Sequence, residues 1–177
     1  YLHTRSSLDR VMEQLSLKIN NLNGTLPATR TAKSCTIPSV RFTTTPYNIA
    51  WGQSIWANVI STNIKGSSVV SEEGNGAVIW TNPAAPINLR NVPAITTDLI
   101  GLEWTEAPFN GGTPVFSYKV LLWDNSTSVY KTLETGISNT TFTPKTLTPG
   151  KTYKFKVQSL NNFDYSLPST EVEILAA

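Results

Sequence analysis

Few side chains in this sequence could do chemistry. His3 is the single histidine and Cys35 the single cysteine in 177 residues. A zinc site needs several Cys or His ligands, and a Ser-His-acid or Cys-His site would have to use the same His3, beside which no nucleophile elbow lies. We therefore expect no metal, no cofactor and no enzymatic activity. Cys35 cannot form an internal disulfide, so it is either a buried thiol or the partner of a cysteine elsewhere.

Two further patterns could bind a ligand. Glu72 and Glu73 are adjacent carboxylates, the kind of group that calcium prefers. They lack DxD-type spacing, so a solvated charged turn is the favoured interpretation. The glycines of GNG (74–76) and NGG (110–112) do not follow a strand and open a helix, as phosphate-binding glycines do, and we interpret both as turns.

Three Asn-X-Ser/Thr sequons offer sites for covalent modification. They begin at Asn23, Asn125 and Asn139, a number close to chance in a chain rich in serine and threonine. Asn23 falls in a predicted insertion and the other two lie between predicted strands, where a glycan could be accommodated. These three residues are our glycosylation candidates if the protein is secreted.

Charge and hydropathy exclude some classes of partner. The 14 basic and 12 acidic residues leave a net charge of +2, and no Lys/Arg cluster follows a groove-sized stretch, which argues against nucleic acid. No run of apolar residues is long enough to insert in a membrane, and the N-terminus has no signal pattern. The first residues, YLHTRSS, resemble the middle of a strand, so we expect a piece of a longer chain.

The elements that must position these residues are β-strands. Alternation in YKVLLW places Tyr118, Val120 and Leu122 on a core face and Leu121 and Trp123 on an outer face. In TYKFKVQS the tyrosine, phenylalanine and valine face the core in the same way. Seven short runs, rich in β-branched and aromatic residues and separated by turn residues, fit one sandwich. The runs are INLRNV, LIGLEW, FSYKVLLW, VYKTLE, TTFTPK, KTYKFKVQSL and TEVEIL.

Several landmarks recur together in the second half. They are APINL at the entry, Trp104 on the second strand, GGTPVFSYKV leading into the third, and LTPGKTYKFKVQSLN before the last hairpin. Together they make residues 84–177 similar to a fibronectin type III module. The resemblance implies an all-β sandwich with Trp104 and Tyr118 in the core. It also implies that the hydroxyl of Tyr153 ties the loop before its strand to the backbone.

The first half repeats the second half at a spacing of 98 residues. This spacing suits tandem sandwich domains and is too large for a solenoid repeat. We predict two fibronectin type III (immunoglobulin-like) sandwiches, 1–82 and 83–177, joined by WTNPAAPINL, which its prolines stiffen. The matching pairs are Ile49 with Leu147, Gly52 with Gly150, Ala57 with Phe155, Val59 with Val157, Asn63 with Asn161 and Ser68 with Ser166.

The first copy departs from the second at its start. Tyr1 corresponds to Tyr118, so we expect this domain to be partial, lacking its first two strands in this fragment. A long insertion falls around INNLNGTLPATRTAKSCTIP. The segment SSLDRVMEQL has helical spacing and a cap-like serine, yet the repeat places it near a strand edge, and both interpretations stay open.

Outward positions on the strands supply interface candidates. In WANVI we expect the alanine and valine in the core, with Trp56 and Ile60 pointing away from it. The same reasoning selects Leu121 and Trp123 in the second domain. Large apolar residues paired on one strand face often mark an interface. For Trp56 and Ile60 the alternative is cover by the insertion of the same chain.

The resemblance implies a non-enzymatic structural or adhesive module, extracellular or on the cell surface. It is similar to long repeat arrays on the surfaces of single-celled eukaryotes, so we expect a spacer or a subunit of a filament or coat. Its partners would be proteins, namely neighbouring modules or subunits in a homopolymeric array. A partial sandwich has an open edge, which preceding residues or another subunit's strand would complete. The alternatives are a receptor or adhesin ectodomain and an accessory module of a secreted carbohydrate-active enzyme.

Overall fold

The chain folds as two units, Tyr1–Ile79 and Trp80–Ala177, which we call unit 1 and unit 2. The computed structural model describes residues 37–74, 76–93, 99–145 and 147–176. The predictions for His3, Asn23, Cys35 and the segment SSLDRVMEQL lie outside the described residues. So does nearly all of the predicted insertion, and the predicted boundary at 82–83 stays a prediction.

Unit 1 contains short elements. Strand β1 pairs with β4 and β2 with β3, both antiparallel. Phe42, Ile49, Ile55 and Ile79 form a small buried cluster, against which Trp51 and other apolar residues pack. The described elements are α1 (Val40–Thr43), β1 (Ser54–Ile55), β2 (Thr62–Asn63), β3 (Gly66–Ser67) and β4 (Ala77–Val78).

The alternation expected in WANVI does not hold in unit 1. Ile55 is buried, but Ala57 is exposed and Val59 is 56% exposed, so the prediction of a core position is wrong for both. Trp56 and Ile60, expected outside, are half-buried. Burial needs a second layer of side chains, and the described residues of unit 1 place no strand over the Ala57 and Val59 face.

Unit 2 has seven described strands in two antiparallel sheets. The four-stranded sheet has the order β11-β10-β7-β8 and the three-stranded sheet the order β5-β6-β9. Each of the seven predicted runs overlaps one of these strands, which confirms the all-β fold. The strands are β5 (Ile87–Asn91), β6 (Leu102–Thr105), β7 (Ser117–Asp124), β8 (Val129–Ile137), β9 (Thr141–Phe142), β10 (Thr152–Leu160) and β11 (Val172–Leu175).

The core of unit 2 lies between the two sheets. Phe155 and Val157 of β10 and Val120 of β7 are fully buried, and Trp104 and Tyr118 pack edge to face, with ring centroids 5.3 Å apart. The Tyr118 hydroxyl donates a hydrogen bond to Glu106 (2.9 Å). Burial, and then this carboxylate, raise the pKa of Tyr118 above its usual range. The inward positions of both strands therefore fill one continuous cluster.

Replacing Phe155 with alanine should lower the unfolding free energy of unit 2 by about 3–5 kcal/mol, because the lost ring leaves a cavity. The measurement is native-state hydrogen exchange at the Val120 amide of the full chain. Phe163→Ala is the matched control: Phe163 is 57% exposed after β10, so its loss should change stability by less than about 0.5 kcal/mol. Equal effects of the two substitutions would contradict this core.

Candidate functional site

The candidate site lies on the outer face of the four-stranded sheet of unit 2. Within the described ranges, no three His, Cys, Asp or Glu side chains group closely enough to hold a metal ion. No helix in the described part of the chain is long and apolar enough to cross a membrane. What unit 2 does present is a set of aromatic and charged side chains, which we call the outer-face cluster. It consists of Trp123, Tyr130, Lys154, Lys156 and Glu171.

Strand pairing brings the two aromatic residues of the cluster together. Trp123 on β7 lies opposite Tyr130 on β8, and side chains directly opposite in antiparallel strands share a face. Their ring centroids are 5.2 Å apart with the planes at 66°, the edge-to-face arrangement that aromatic pairs favour. Trp123 points outward, as expected from the alternation. Tyr130 covers part of the indole, so the Trp123 side chain is half-buried.

Leu121 differs from the expectation. It is only 8% exposed, so the prediction of an exposed interface residue is wrong. Lys156 of β10 lies opposite Leu121, and its Nζ reaches to 4.6 Å from the centroid of the Tyr130 ring, on the strand beyond β7. The lysine stem therefore crosses the outer face of β7 beside Leu121, and such stems cover apolar surface while the charge stays in water.

Charged groups link the cluster to the edge strand β11. The Tyr130 hydroxyl donates a short hydrogen bond to the Glu171 carboxylate. Lys154 Nζ lies 3.2 Å from Glu171 and 3.6 Å from Glu173. Burial, and then the hydrogen bond to Glu171, raise the pKa of Tyr130 above its usual range. The hydrogen bond from Tyr130, and then Lys154, lower the pKa of Glu171, while Glu171 and Glu173 raise the pKa of Lys154.

The turn between β7 and β8 carries one of the sequons. Asp124 accepts hydrogen bonds from the Ser126 amide (2.8 Å), the Ser126 hydroxyl (2.6 Å) and the Thr127 hydroxyl (3.0 Å). It also pairs with Lys131, and that pair, followed by the bonds from Ser126, holds the pKa of Asp124 well below its usual range. Asn125 is exposed within this turn. Asn139 is also exposed, between β8 and β9.

A depression of about 300 Å³ opens beside this turn. Trp123 and Asn125 lie on its wall, and the start of β10 and the middle of β11 complete it. Two of the lining residues are aromatic and the others are polar or charged. The lining residues are Trp123, Asn125, Lys151, Thr152, Tyr153, Lys154 and Glu173.

Tyr153 fixes the start of β10. The Thr148 amide donates a hydrogen bond of 2.9 Å to its hydroxyl, which is the contact that the family resemblance implies for this tyrosine. Tyr153 packs beside the core cluster and is also one of the residues that line the depression. The loop before β10 is thus held in place by the residue that shapes one wall of the site.

Trp56 of unit 1 lies against its own chain. A Cβ atom at Gly76 would lie 2.8 Å from Cε2 of Trp56, so the indole rests on the backbone at that glycine. Ile60 is half-buried. Cover by the predicted insertion concerns residues outside the described ranges, and the interface prediction for Trp56 and Ile60 stays a prediction.

Serine hydroxyls hold the last hairpin of unit 2, a role that the alternation pattern does not predict. The Val157 amide donates to Ser169 Oγ (2.9 Å), and the Ser169 amide donates to the Val157 carbonyl (2.8 Å). Ser159 and Ser166 make the same reciprocal pair, at 2.9 and 2.8 Å. Each serine therefore replaces one backbone acceptor of a regular ladder.

Unit 1 repeats these bonds 98 residues earlier. The Val59 amide donates to Ser71 Oγ (2.8 Å), and the Ser71 amide donates to the Val59 carbonyl (3.0 Å). Ser61 and Ser68 form the second pair, at 3.1 and 2.8 Å. The sequence repeat was the available signal for this arrangement.

An asparagine close to each set of serine pairs also repeats. Asn161 Oδ1 accepts from the Phe163 amide (2.9 Å), and Asn63 Oδ1 accepts from the Lys65 amide (2.8 Å). Asn161 is 2% exposed, and its Nδ2 donates to the carbonyls of Thr81 and Asn110, both at 2.8 Å. One buried amide thus joins the entry segment of unit 2 to two of its loops.

Two antiparallel sheets around a buried tryptophan, with a tyrosine hydrogen-bonded to the preceding loop, define unit 2 as an immunoglobulin-like β-sandwich. Residues 84–174 match the family model of the fibronectin type III domain, which covers more than half of the chain. The chain therefore belongs to the fibronectin type III family, whose domains generally act as structural and interaction modules rather than catalysts.

Two curated relatives and one solved structure illustrate the similarity. The smooth muscle myosin light chain kinase of Gallus gallus is 29% identical over 93 residues, covering 52% of this chain and 5% of that protein. The titin homolog of Caenorhabditis elegans is 31% identical over 104 residues, covering 56% of this chain and, rounded, 0% of that protein. A crystal structure of titin domains aligns with a TM-score of 0.54 at 19% identity, over 72% of this chain and 42% of that one. That structural match shows the fold alone.

Glu171→Gln should lower the melting temperature of unit 2 at pH 7, and the difference from the wild type should shrink in acid. The folded-state pKa of Glu171 lies below its ordinary 4.5, so its contribution is present above that value and is lost as pH falls through the lowered folded pKa. Thermal unfolding of both proteins from pH 7 to pH 2 measures it. Glu72→Gln, at an exposed residue without an ion pair in the described part of unit 1, is the control. A difference that persists at pH 2 would contradict the assigned partners.

Tyr153→Phe should lower the unfolding free energy by about 1–3 kcal/mol, because the Thr148 amide loses its acceptor. Urea unfolding of the full chain measures the change. The matched control is Tyr165→Phe, which keeps the ring that lies 3.3 Å from Lys119 Nζ and should cost less than about 0.5 kcal/mol. If the two variants unfold at the same urea concentration, the hydroxyl of Tyr153 does not hold the loop.

Proposed function

We propose that this chain is a pair of tandem fibronectin type III modules with a structural and adhesive role and no catalytic one. It serves as a spacer or subunit of an extracellular or cell-surface array, of the kind expected on single-celled eukaryotes. The observation that carries the proposal is the repeated hydrogen bonding of the last hairpin in the two units. Matching serine pairs and a matching asparagine, all 98 residues apart, support one module present twice.

Asn161 supports a role as a jointed spacer. Its buried amide holds the segment that enters unit 2 by the carbonyl of Thr81, and the Ala84 amide donates to the Phe109 carbonyl (2.9 Å). Pro83 and Pro86 in the same segment are buried. A segment held by hydrogen bonds and prolines is stiffer than a Gly/Ser-rich linker.

The exposed face of unit 1 supports assembly with a further strand. Val59 and Ala57 match Val157 and Phe155, and both unit 2 residues are fully buried. The unit 1 hairpin repeats the hydrogen bonds of the unit 2 hairpin but leaves Ala57 and Val59 in solvent. This apolar face is suited to one more layer of side chains. We infer that a strand supplied by a neighbouring segment or subunit covers this face, by strand addition.

A ligand-binding ectodomain is the second candidate. Phe109, Phe163 and Leu167 are 45%, 57% and 80% exposed, and they lie on two loops of unit 2 that Asn161 and Asn162 join. Exposed apolar side chains on adjoining loops are common at protein-binding sites. This candidate predicts a monomer in solution and binding that depends on these loops.

Val59→Asp should abolish self-association of the full chain, because it puts a charge on the face where the added strand would pack. Sedimentation velocity at rising protein concentration measures the effect. Val69→Asp is the matched control. Val69 is 90% exposed, and Leu167, the residue 98 positions later in unit 2, is 80% exposed, so this variant should associate like the wild type.

A wild-type chain that stays monomeric throughout would exclude completion by another subunit. Suppose, in addition, that the wild-type chain captures a protein from the cell surface and that Phe163→Ala abolishes this binding. The proposal of a ligand-binding ectodomain would then replace the proposal of a structural array.

A further inference from the structure

The sequon at Asn125 differs from the other described sequon in the residue that lies two positions before its asparagine. The residue two positions before Asn125 is Trp123, whereas the residue two positions before Asn139 is Ile137. Trp123 and Asn125 line the same depression, so the two residues share one surface. Only the first of these two sequons has an aromatic ring in that position.

The turn around Asn125 is stable without the asparagine side chain. Asp124 holds Ser126 and Thr127 by three hydrogen bonds, and the Ser128 amide donates to the Asp124 carbonyl (2.8 Å). Among the described residues, the Asn125 side-chain amide makes no hydrogen bond. A group attached to its nitrogen would therefore break no hydrogen bond within the described residues.

The chemistry of the depression suits a sugar ring. The C–H groups on one face of a pyranose pack against an aromatic plane, and its hydroxyls need hydrogen-bonding groups around the rim. Trp123 offers the ring, while Thr152, Lys154 and Glu173 offer donors and acceptors. The volume of about 300 Å³ is at the lower end of the range for small-ligand sites.

We propose that Asn125 is N-glycosylated and that the first sugar of the glycan packs on Trp123 in this depression. In the attachment step, the Asn125 amide nitrogen bonds to the anomeric carbon of a lipid-pyrophosphate-linked oligosaccharide. The carbon–oxygen bond to the pyrophosphate breaks, the lipid pyrophosphate leaves with the electron pair, and the nitrogen loses one proton to a base of the transferring enzyme. This proposal rests on the proposed extracellular location. It implies that the exposed part of the Trp123 ring packs against a carbohydrate and not against a protein.

The test is expression of the full chain behind a cleavable secretion signal in eukaryotic cells, followed by glycopeptide mass spectrometry. We expect Asn125 to be occupied in most molecules, and more fully than Asn139. An unoccupied Asn125 beside an occupied Asn139 would overturn the proposal. Because the added signal forces secretion, this result does not depend on where the native protein resides, and the self-association of Val59→Asp stays a separate test.

A thermal double-mutant cycle tests the packing on Trp123. The glycan is trimmed enzymatically to its first sugar, and the trimmed protein is compared with Asn125→Gln in two backgrounds, wild type and Trp123→Ala. We expect the sugar to raise the melting temperature by about 4 °C or more in the wild type and by nothing in Trp123→Ala.

Two further variants keep this test decisive. Trp123→Phe retains a ring and should retain part of the shift, which guards against loss of the fold in Trp123→Ala. Asn139→Gln should leave the cycle unchanged. Equal shifts with and without the Trp123 ring would contradict the packing, and loss of self-association in Trp123→Ala would show that this face binds protein.

Discussion

Unit 2 depends on the alternation of side chains along β10. Phe155, Val157 and Ser159 are fully buried on one face, while Lys154 and Lys156 belong to the outer-face cluster on the other. Because β10 lies between β7 and β11, a single strand fills the core and also carries the charges that organise the surface. A shift of its register by one residue would exchange the two faces, so the core also fixes the geometry of the cluster.

The amino-acid sequence was sufficient to predict most of unit 2. Period-two alternation located its strands, because one face of each sheet packs on the core and the other meets solvent. Trp104 and Tyr153 occupy the positions that the family resemblance implies, since a large buried ring and a tyrosine with one polar end have few alternative places in a sandwich. The depression beside Asn125 could be suspected only from the closeness of a tryptophan and a sequon.

Other features depend on packing that alternation does not describe. Leu121 points outward yet is buried, because a lysine from the next strand reaches across it. Val59 has the alternation of a core residue yet is exposed, because burial depends on what a second layer supplies. Asn161 is a single polar residue in the sequence, and it is important because its side chain donates hydrogen bonds to carbonyls 51 and 80 residues away. Long-range contacts of this kind carry no periodic signal.

The serine pairs also bear on a difference in length between the two hairpins. The Ile79 amide donates to the Gln53 carbonyl, and the matching bond in unit 2 runs from Ala176 to Lys151, so unit 1 carries one extra residue in its last strand segment. In unit 1 the Gly76 amide donates to the Gly74 carbonyl (3.0 Å), a local turn that takes up the extra length. Since the hydroxyl contacts fix the hairpin upstream, an insertion here leaves its pairing intact. The two hairpins can therefore differ in length at this point while keeping the same serine hydrogen bonds.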